Sequence, residues 1–270
     1  MSEQKPMQFG PDDVKAARAT LAQARDGEVV GVVILTDEEV MILDGLEHEQ
    51  LVPTPWLDAQ AGADRSLMGR VALRSMASRE LVVPAATDES GSRIVKIKAH
   101  PGITGPLVLR RSAQEILSVE RTSSNGKDWL FAYVHHEDDK ATVLEEEISG
   151  EGHHVFSVYP EALLGERFEK FLDPTSAALM GTAPKSYSAD ALQAAAAKLP
   201  QLNEAVAVSI VSGVARGSEE LVNASVYAGP HGVHVLRGSE HGPNGDPVTY
   251  TLQEVGSRGL RALPAELVPA

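Results

Sequence analysis

Histidine pairs and a run of carboxylates are the residues of this chain best equipped for chemistry. His135-His136 precede Glu137-Asp138-Asp139, and His153-His154 follow Glu151-Gly152. Imidazole and carboxylate are the ligand types that zinc, iron and manganese sites use when several converge on one ion. Adjacent residues on a strand point to opposite faces, so neither histidine pair chelates as a unit. One member of each pair converges only if strands 128–135 and 154–159 are neighbours. The expected reading is therefore turn-end histidines in solvated loops, with no metal. His231, His234 and His241 form a looser group that Asp246 would complete, but the spacing matches no zincin signature, and surface histidines are expected there too. Leu144-Glu145-Glu146-Glu147-Ile148 sets three carboxylates in one strand, with Glu146 facing opposite to Glu145 and Glu147. Buried, closely spaced carboxylates do acid–base work. No second pair or sugar-binding aromatic cluster accompanies these, so a solvated sheet face or a partner-binding edge is expected.

Composition narrows the classes further. The 270 residues include 43% hydrophobic side chains, no cysteine and a net charge of −14. That length suits one large domain or two fused halves with a real core. Without cysteine there is no disulfide scaffold, thiolate nucleophile or cysteine-held metal. The sequence contains no GxSxG elbow, phosphate loop, dinucleotide-binding glycine fingerprint or HExxH. A non-catalytic protein with no cofactor is expected. The start, Met1-Ser2-Glu3-Gln4-Lys5, lacks the basic-then-apolar layout of a signal peptide. No apolar run approaches the roughly 18–20 residues of a membrane span. A soluble, cytoplasmic protein with no membrane partner follows as an expectation.

The elements alternate in a readable way. Helices are expected over 11–25, 37–49, 65–80, 104–112, 160–172, 190–199 and 253–263. Thr36-Asp37-Glu38-Glu39 carries the strongest local signal, a capping box with Leu35 and Val40 placed as a hydrophobic staple. Strands are expected at 29–35, at 81–84 and 93–98 around the tip 88–91, and at 116–123, 128–135, 142–149 and 154–159. Further strands are expected at 205–212, 221–228, 233–237 and 248–252, with 238–247 a mobile loop. Most are hairpin-connected, which argues for antiparallel sheet and an α+β architecture. Val155 to Phe168 parallels Val248 to Leu260, each a strand followed by an apolar-striped helix. The fold expected is a pair of pseudo-duplicated sheet-plus-helix units behind a helical, winged-helix-like region. The boundaries are 1–112 for that region, 113–173 for the first unit, 174–189 for a linker and 190–270 for the second unit.

Charge is unevenly distributed. Residues 65–111 hold nine basic and three acidic side chains, whereas both flanking segments are acidic. Helix 37–49, helix 65–80 and the hairpin 81–98 follow the order of a winged helix, which reads DNA through its second helix and its wing. Arg70, Arg74, Arg93, Lys96 and Lys98 would make that contact. Against it, Leu67, Met68, Val71, Leu73 and Met76 wrap most of the helix, the pattern of a buried one. The overall negative field also repels phosphates.

The order of elements resembles the EspG-type secretion chaperones of actinobacterial type VII (ESX) systems. The resemblance is carried by Thr36-Asp37-Glu38-Glu39-Val40, by Leu67–Val83, by the strand block 115–159 and by Val248–Pro264. Fifteen arginines against nine lysines, with abundant alanine and glycine, suit a GC-rich genome. The resemblance implies a protein without enzymatic activity that covers the hydrophobic tip of a helical secretion substrate in the cytoplasm. Its partner is then another protein, helical in nature. The partner surface is expected on strands 115–159, at Trp129, Phe131, Tyr133, Glu145, Glu147 and Phe156, together with loops 124–127, 213–220 and 238–247. Oligomeric state is left open.

Overall fold

The computed structural model describes residues 9–45, 50–87, 94–137, 139–218, 220–241 and 247–268. In chain order they form α1 (Pro11–Leu21), β1 (Val30–Thr36), α2 (Asp37–Asp44), α3 (Pro55–Asp58), α4 (Arg65–Ser78), β2 (Val82–Thr87), β3 (Ile94–Ala99) and α5 (Pro101–Ser112). There follow β4 (Glu115–Ser123), β5 (Gly126–Glu137), β6 (Lys140–Ile148), β7 (His153–Pro160) and, after one 3-10 turn, α6 (Leu164–Leu172). The remainder is β8 (Lys185–Ser188), α7 (Ala189–Ala196), α8 (Pro200–Asn203), β9 (Ala207–Ala215), β10 (Val222–Gly229), β11 (Gly232–His241), β12 (Pro247–Glu254) and α9 (Ser257–Leu267). The fold is α+β, with antiparallel strand pairing. β7 leads into α6 and β12 into α9, so the strand-then-helix unit occurs twice. Two compact units divide the chain. One comprises Met1–Ala113 with Leu144–Tyr159, the other Gln114–Val143 with Pro160–Ala270.

In the first unit β7 lies between β1 and β6. The capping box at the start of α2 forms as its residues dictate: the Thr36 N–H donates to Glu39 Oε2 at 3.2 Å, and Leu35 and Val40 are buried. α2 stops at Asp44, where Gly45 takes φ +98° and donates its N–H to Met41 O. The sequence suggested a longer helix; residues 46–49 lie outside the described ones. Asp64 caps α4, accepting from the Leu67 N–H at 3.0 Å. α4 buries only Gly69, Ala72 and Met76, leaving Leu67 51% and Val71 58% exposed. The apolar wrap read from the sequence therefore does not make a buried helix: two of its five apolar residues face solvent. α1 and α5 cross so closely at Gly105 that Ala16 and Thr20 leave no room for a side chain there. β2 and β3 pair as a separate two-stranded ribbon, and its expected tip, 88–91, lies outside the described residues.

The second unit runs β5-β4-β9-β10-β11-β12-β8. One face of this sheet is packed: Leu117, Val119, Leu130, Ala132, Val134, Val211 and Val226 are all buried. Strand alternation places them together, and the apolar stripes of α6 (Leu164, Phe168, Phe171, Leu172) and α9 (Leu260, Leu263, Leu267) cover them. Two contacts fix that assignment. Arg121 lies 4.2 Å over the Phe171 ring and donates to Phe171 O at 2.8 Å. Gly213 of β9 meets the Leu267 carbonyl with no space for a Cβ. The opposite face carries Trp129, Phe131, Val208, Ile210 and Tyr227 at partial or full exposure. Within the expected linker 174–189, Lys185–Ser188 forms β8 against Thr249–Leu252. The expected mobile loop 238–247 is strand as far as His241, and residues 242–246 lie outside the described ones.

Candidate functional site

The most elaborate polar constellation is a buried relay in the first unit. β7 begins at His153, so alternation sends His153 outward and His154 into the interior. There Nδ1 lies 2.7 Å from Glu146 Oε1 on β6, and Nε2 lies 2.8 Å from Asp37 Oδ1 at the first residue of α2. The second Asp37 oxygen accepts the Leu57 N–H at 2.9 Å, and the Asp37 N–H donates to Gly152 O at 3.0 Å. Gly152 is required here: its φ is +77°, and a Cβ would stand 2.6 Å from Asp37 Oδ2. Beyond Glu146 the relay continues into α5. Arg110 Nε is 3.1 Å from Glu146 Oε2 and Arg110 Nη1 is 3.6 Å from Asp44 Oδ2, while Arg111 Nη2 is 3.0 Å from Asp44 Oδ1. Glu39 adds an ion pair with Arg79 just after α4.

The geometry fixes the protonation of His154. A carboxylate only accepts, and neutral imidazole has a single N–H. With a carboxylate on each ring nitrogen, the ring must be imidazolium to satisfy both. Burial pulls its pKa down, but hydrogen bonds and charge from Asp37 and Glu146 outweigh burial and hold it above the usual histidine value. The cluster then balances, with Asp37, Asp44 and Glu146 against Arg110, Arg111 and the imidazolium. Such a relay is built to hold elements together. Both histidine nitrogens are engaged and the ring is fully buried, so neither nitrogen is available to a metal or to a reacting proton.

A pH dependence follows, with a definite sign. The folded state holds the His154 proton more tightly than the unfolded chain, whose histidine titrates near 6.5. The stabilisation is complete below that value and is lost as pH rises through the raised folded value. Urea midpoints of the wild type should therefore fall relative to those of His154→Gln as pH rises above the unfolded value of 6.5 and through the raised folded one. Parallel slopes in the two proteins would remove His154 from the account.

The other expected chemical residues are dispersed. His135 is buried and His136 faces Glu115 at 3.0 Å; with His154 interior, the solvated turn-end reading fails for one member of each pair. His231 pairs with Glu204 at 2.9 Å, and burial pushes the His234 pKa down. The His241 side chain and Asp246 lie outside the described residues. Among the described residues, no group of three or more histidine or acidic side chains could hold a metal ion.

The expected partner residues separate into two sets. Tyr133, Glu145 and Phe156 are buried, and Glu145 accepts the Tyr159 hydroxyl at 2.6 Å. These side chains belong to the interior; on β6 the burial of both Glu145 and Glu146 shows that the strand is covered on both faces there. Trp129, Phe131 and Glu147 are half-buried; the Trp129 indole donates to Glu120 at 3.1 Å, and Phe131 stacks on Tyr133 with centroids 6.3 Å apart. Of the cationic set, Arg70 and Arg74 are exposed, with Arg70 donating to Ser66 at 2.9 Å. Lys98 pairs with Asp12 at 3.2 Å. Arg93 and the Lys96 side chain lie outside the described residues. Sequence reasoning missed the relay because each of its parts has a local explanation: Asp37 reads as a helix-start acid and Glu146 as a strand acid.

The comparisons bear on the fold. No known family profile matches the chain, and no curated protein matches it. Among solved structures, the Mycobacterium tuberculosis type VII secretion chaperone EspG5, in complex with a PE25–PPE41 dimer, superimposes with a TM-score of 0.52 at 8% identity. The match covers 87% of this chain and 94% of that one. The two share a fold. At that identity the likeness to EspG5 is one of architecture, not of family. HtdX from the same organism gives a TM-score of 0.17, which carries no argument. Among the described residues no helix is long and apolar enough to cross a membrane.

Proposed function

We propose that this protein is a non-catalytic, cytoplasmic chaperone that binds a helical protein partner, in the manner of a type VII secretion chaperone in an actinobacterium. The observation carrying the proposal is the fold shared with EspG5 over most of both chains, EspG5 being a chaperone in complex with a protein dimer. The sheet of the second unit supports it. One face is sealed by α6 and α9, and the other keeps apolar side chains at the surface, Ile210 at 54% among them. Trp129, Phe131 and Glu147 are the members of the expected partner set with surface to offer.

A tagged pull-down from the source organism, nuclease-treated and read by mass spectrometry, tests this. One or two small helical proteins at near-equal stoichiometry are expected. Capture of no protein, with specific genomic fragments in the untreated sample, would overturn it. The second reading, a winged-helix regulator, draws support from the solvent-facing Arg70 and Arg74 on α4. An Arg70→Glu, Lys96→Glu double variant should retain the protein partner under the chaperone reading and lose binding under the regulator one. DNA binding should also weaken steeply with salt, and apolar capture should not.

A further inference from the structure

In the second unit, Asp173 to Thr182 crosses the surface as a strap pinned at several points. The N–H groups of Ala177 and Ala178 donate to the two Asp173 carboxylate oxygens at 2.9 and 2.8 Å. The Ser257 N–H donates to Ala178 O, and the Thr182 N–H to Glu254 O, each at 3.0 Å. Gln253 Nε2 adds a bond to Thr182 O at 3.0 Å. Ser176 is held at φ +55°, a conformation that persists in a non-glycine residue only where its surroundings enforce it. Fixing backbone in this way costs conformational entropy at every residue. Yet the strap displays Leu179 at 84% and Met180 at 68% exposure, so that pair contributes almost nothing to the core.

Beside the pair runs a groove of about 670 Å³, whose walls include Leu179, Met180, Val206, Pro230, His231 and Glu254. Val206 is itself 48% exposed and lines the groove with Leu179 and Met180, so apolar surface reaches from the strap to the start of β9. The charge in the groove is negative. Glu254 receives no hydrogen bond or ion pair from any described side chain. His234, opposite it on β11, is held toward its neutral form by burial, and His231 is already occupied by Glu204.

We infer that this groove docks a segment of a partner protein presenting a large aliphatic side chain next to a lysine or arginine. The aliphatic group lies against Leu179, Met180 and Val206, and the cation meets Glu254. The inference rests on the protein-binding reading above and gives the partner segment its chemistry.

The test uses the full chain and two labelled helical peptides of about 15 residues, one of alanine, leucine and lysine and one of alanine, leucine and glutamate. Fluorescence anisotropy should show binding of the lysine peptide alone. Met180→Asp and Glu254→Lys should each weaken it by about tenfold or more, whereas Glu28→Lys, an equal charge change in the first unit, should alter it by less than about twofold. Equal binding of the glutamate peptide, or lysine-peptide binding indifferent to Met180→Asp and Glu254→Lys, would overturn the inference. The pull-down repeated with the Met180→Asp, Glu254→Lys double variant separates the two proposals. A partner retained at wild-type stoichiometry removes the groove and leaves the chaperone reading standing. A wild type that captures no protein removes that reading, while peptide binding dependent on Met180 and Glu254 still supports the groove.

Discussion

Replacing His154 with leucine is expected to lower the unfolding free energy by about 3–5 kcal/mol, the usual cost of stranding buried charge when one partner of an ion cluster is removed. Leucine fills comparable space, so a cavity adds little. The loss comes from Asp37 and Glu146, which keep their buried positions without the cation that bridged them at 2.8 and 2.7 Å. Glu146 retains Arg110 at 3.1 Å, and Asp37 retains the Leu57 N–H at 2.9 Å, so the balance is shifted by one charge rather than abolished. Two measurements check this. Urea unfolding at neutral pH gives the size of the loss, and Glu146→Gln in the His154→Leu background gives the coupling. The pair should cost clearly less than the two single changes added, because each removes the same contact. Simple additivity would mean that the side chains act independently, and the relay account would fail.

This relay also marks the limit of what the sequence reveals. Strands and helices were legible wherever a short-range period set them. The capping box at Thr36 to Glu39, the hairpin around Asn125-Gly126 and the alternation through β4 to β7 emerge close to where the pattern places them. The stripe of α6 was equally plain, since Leu164, Phe168, Phe171 and Leu172 recur at helical spacing. Short elements were not legible. α3, α8 and β8 are four residues each, too short to carry a period. α4 was misread because Gly69 and Ala72 share the buried stripe with Met76 while Leu67 and Val71 face out, so hydrophobicity and burial are partly out of phase. The relay joins residues up to 117 positions apart. Alternation says that one histidine of each pair points inward, but only tertiary pairing shows that carboxylates, rather than a second histidine, meet it there. The strap from Asp173 was hidden for a related reason. Its small residues and proline look like linker, and beyond the local bonds to Asp173 the hydrogen bonds that fix it come from Gln253, Glu254 and Ser257, far along the chain.

Phe168→Ala is expected to cost about 3–5 kcal/mol, as aromatic-to-alanine changes in packed cores do. Phe168 is fully buried at the centre of the α6 stripe, between Leu164 and Leu172 on its own helix, over the covered face of the sheet. Its neighbours cannot collapse freely into the void. Arg121 is anchored to Phe171 through both its ring and its carbonyl, and Gly165 already meets the Arg261 carbonyl with 2.5 Å to a would-be Cβ. Phe168→Leu keeps most of the volume and should lose less than about 1.5 kcal/mol. Thermal unfolding resolves the difference, since each kcal/mol is worth roughly 2–4 °C in a domain of this size. The same scan on Met180→Asp should match the wild type within about 0.5 kcal/mol, because Met180 buries little and touches no core stripe. The contrast gives the binding tests their meaning. A Phe168→Ala protein that loses its partner has lost the scaffold, whereas a Met180→Asp protein that melts like the wild type yet loses its partner has lost a contact. If Met180→Asp proved as destabilising as Phe168→Ala, the strap would be part of the core and its exposed pair would need another explanation.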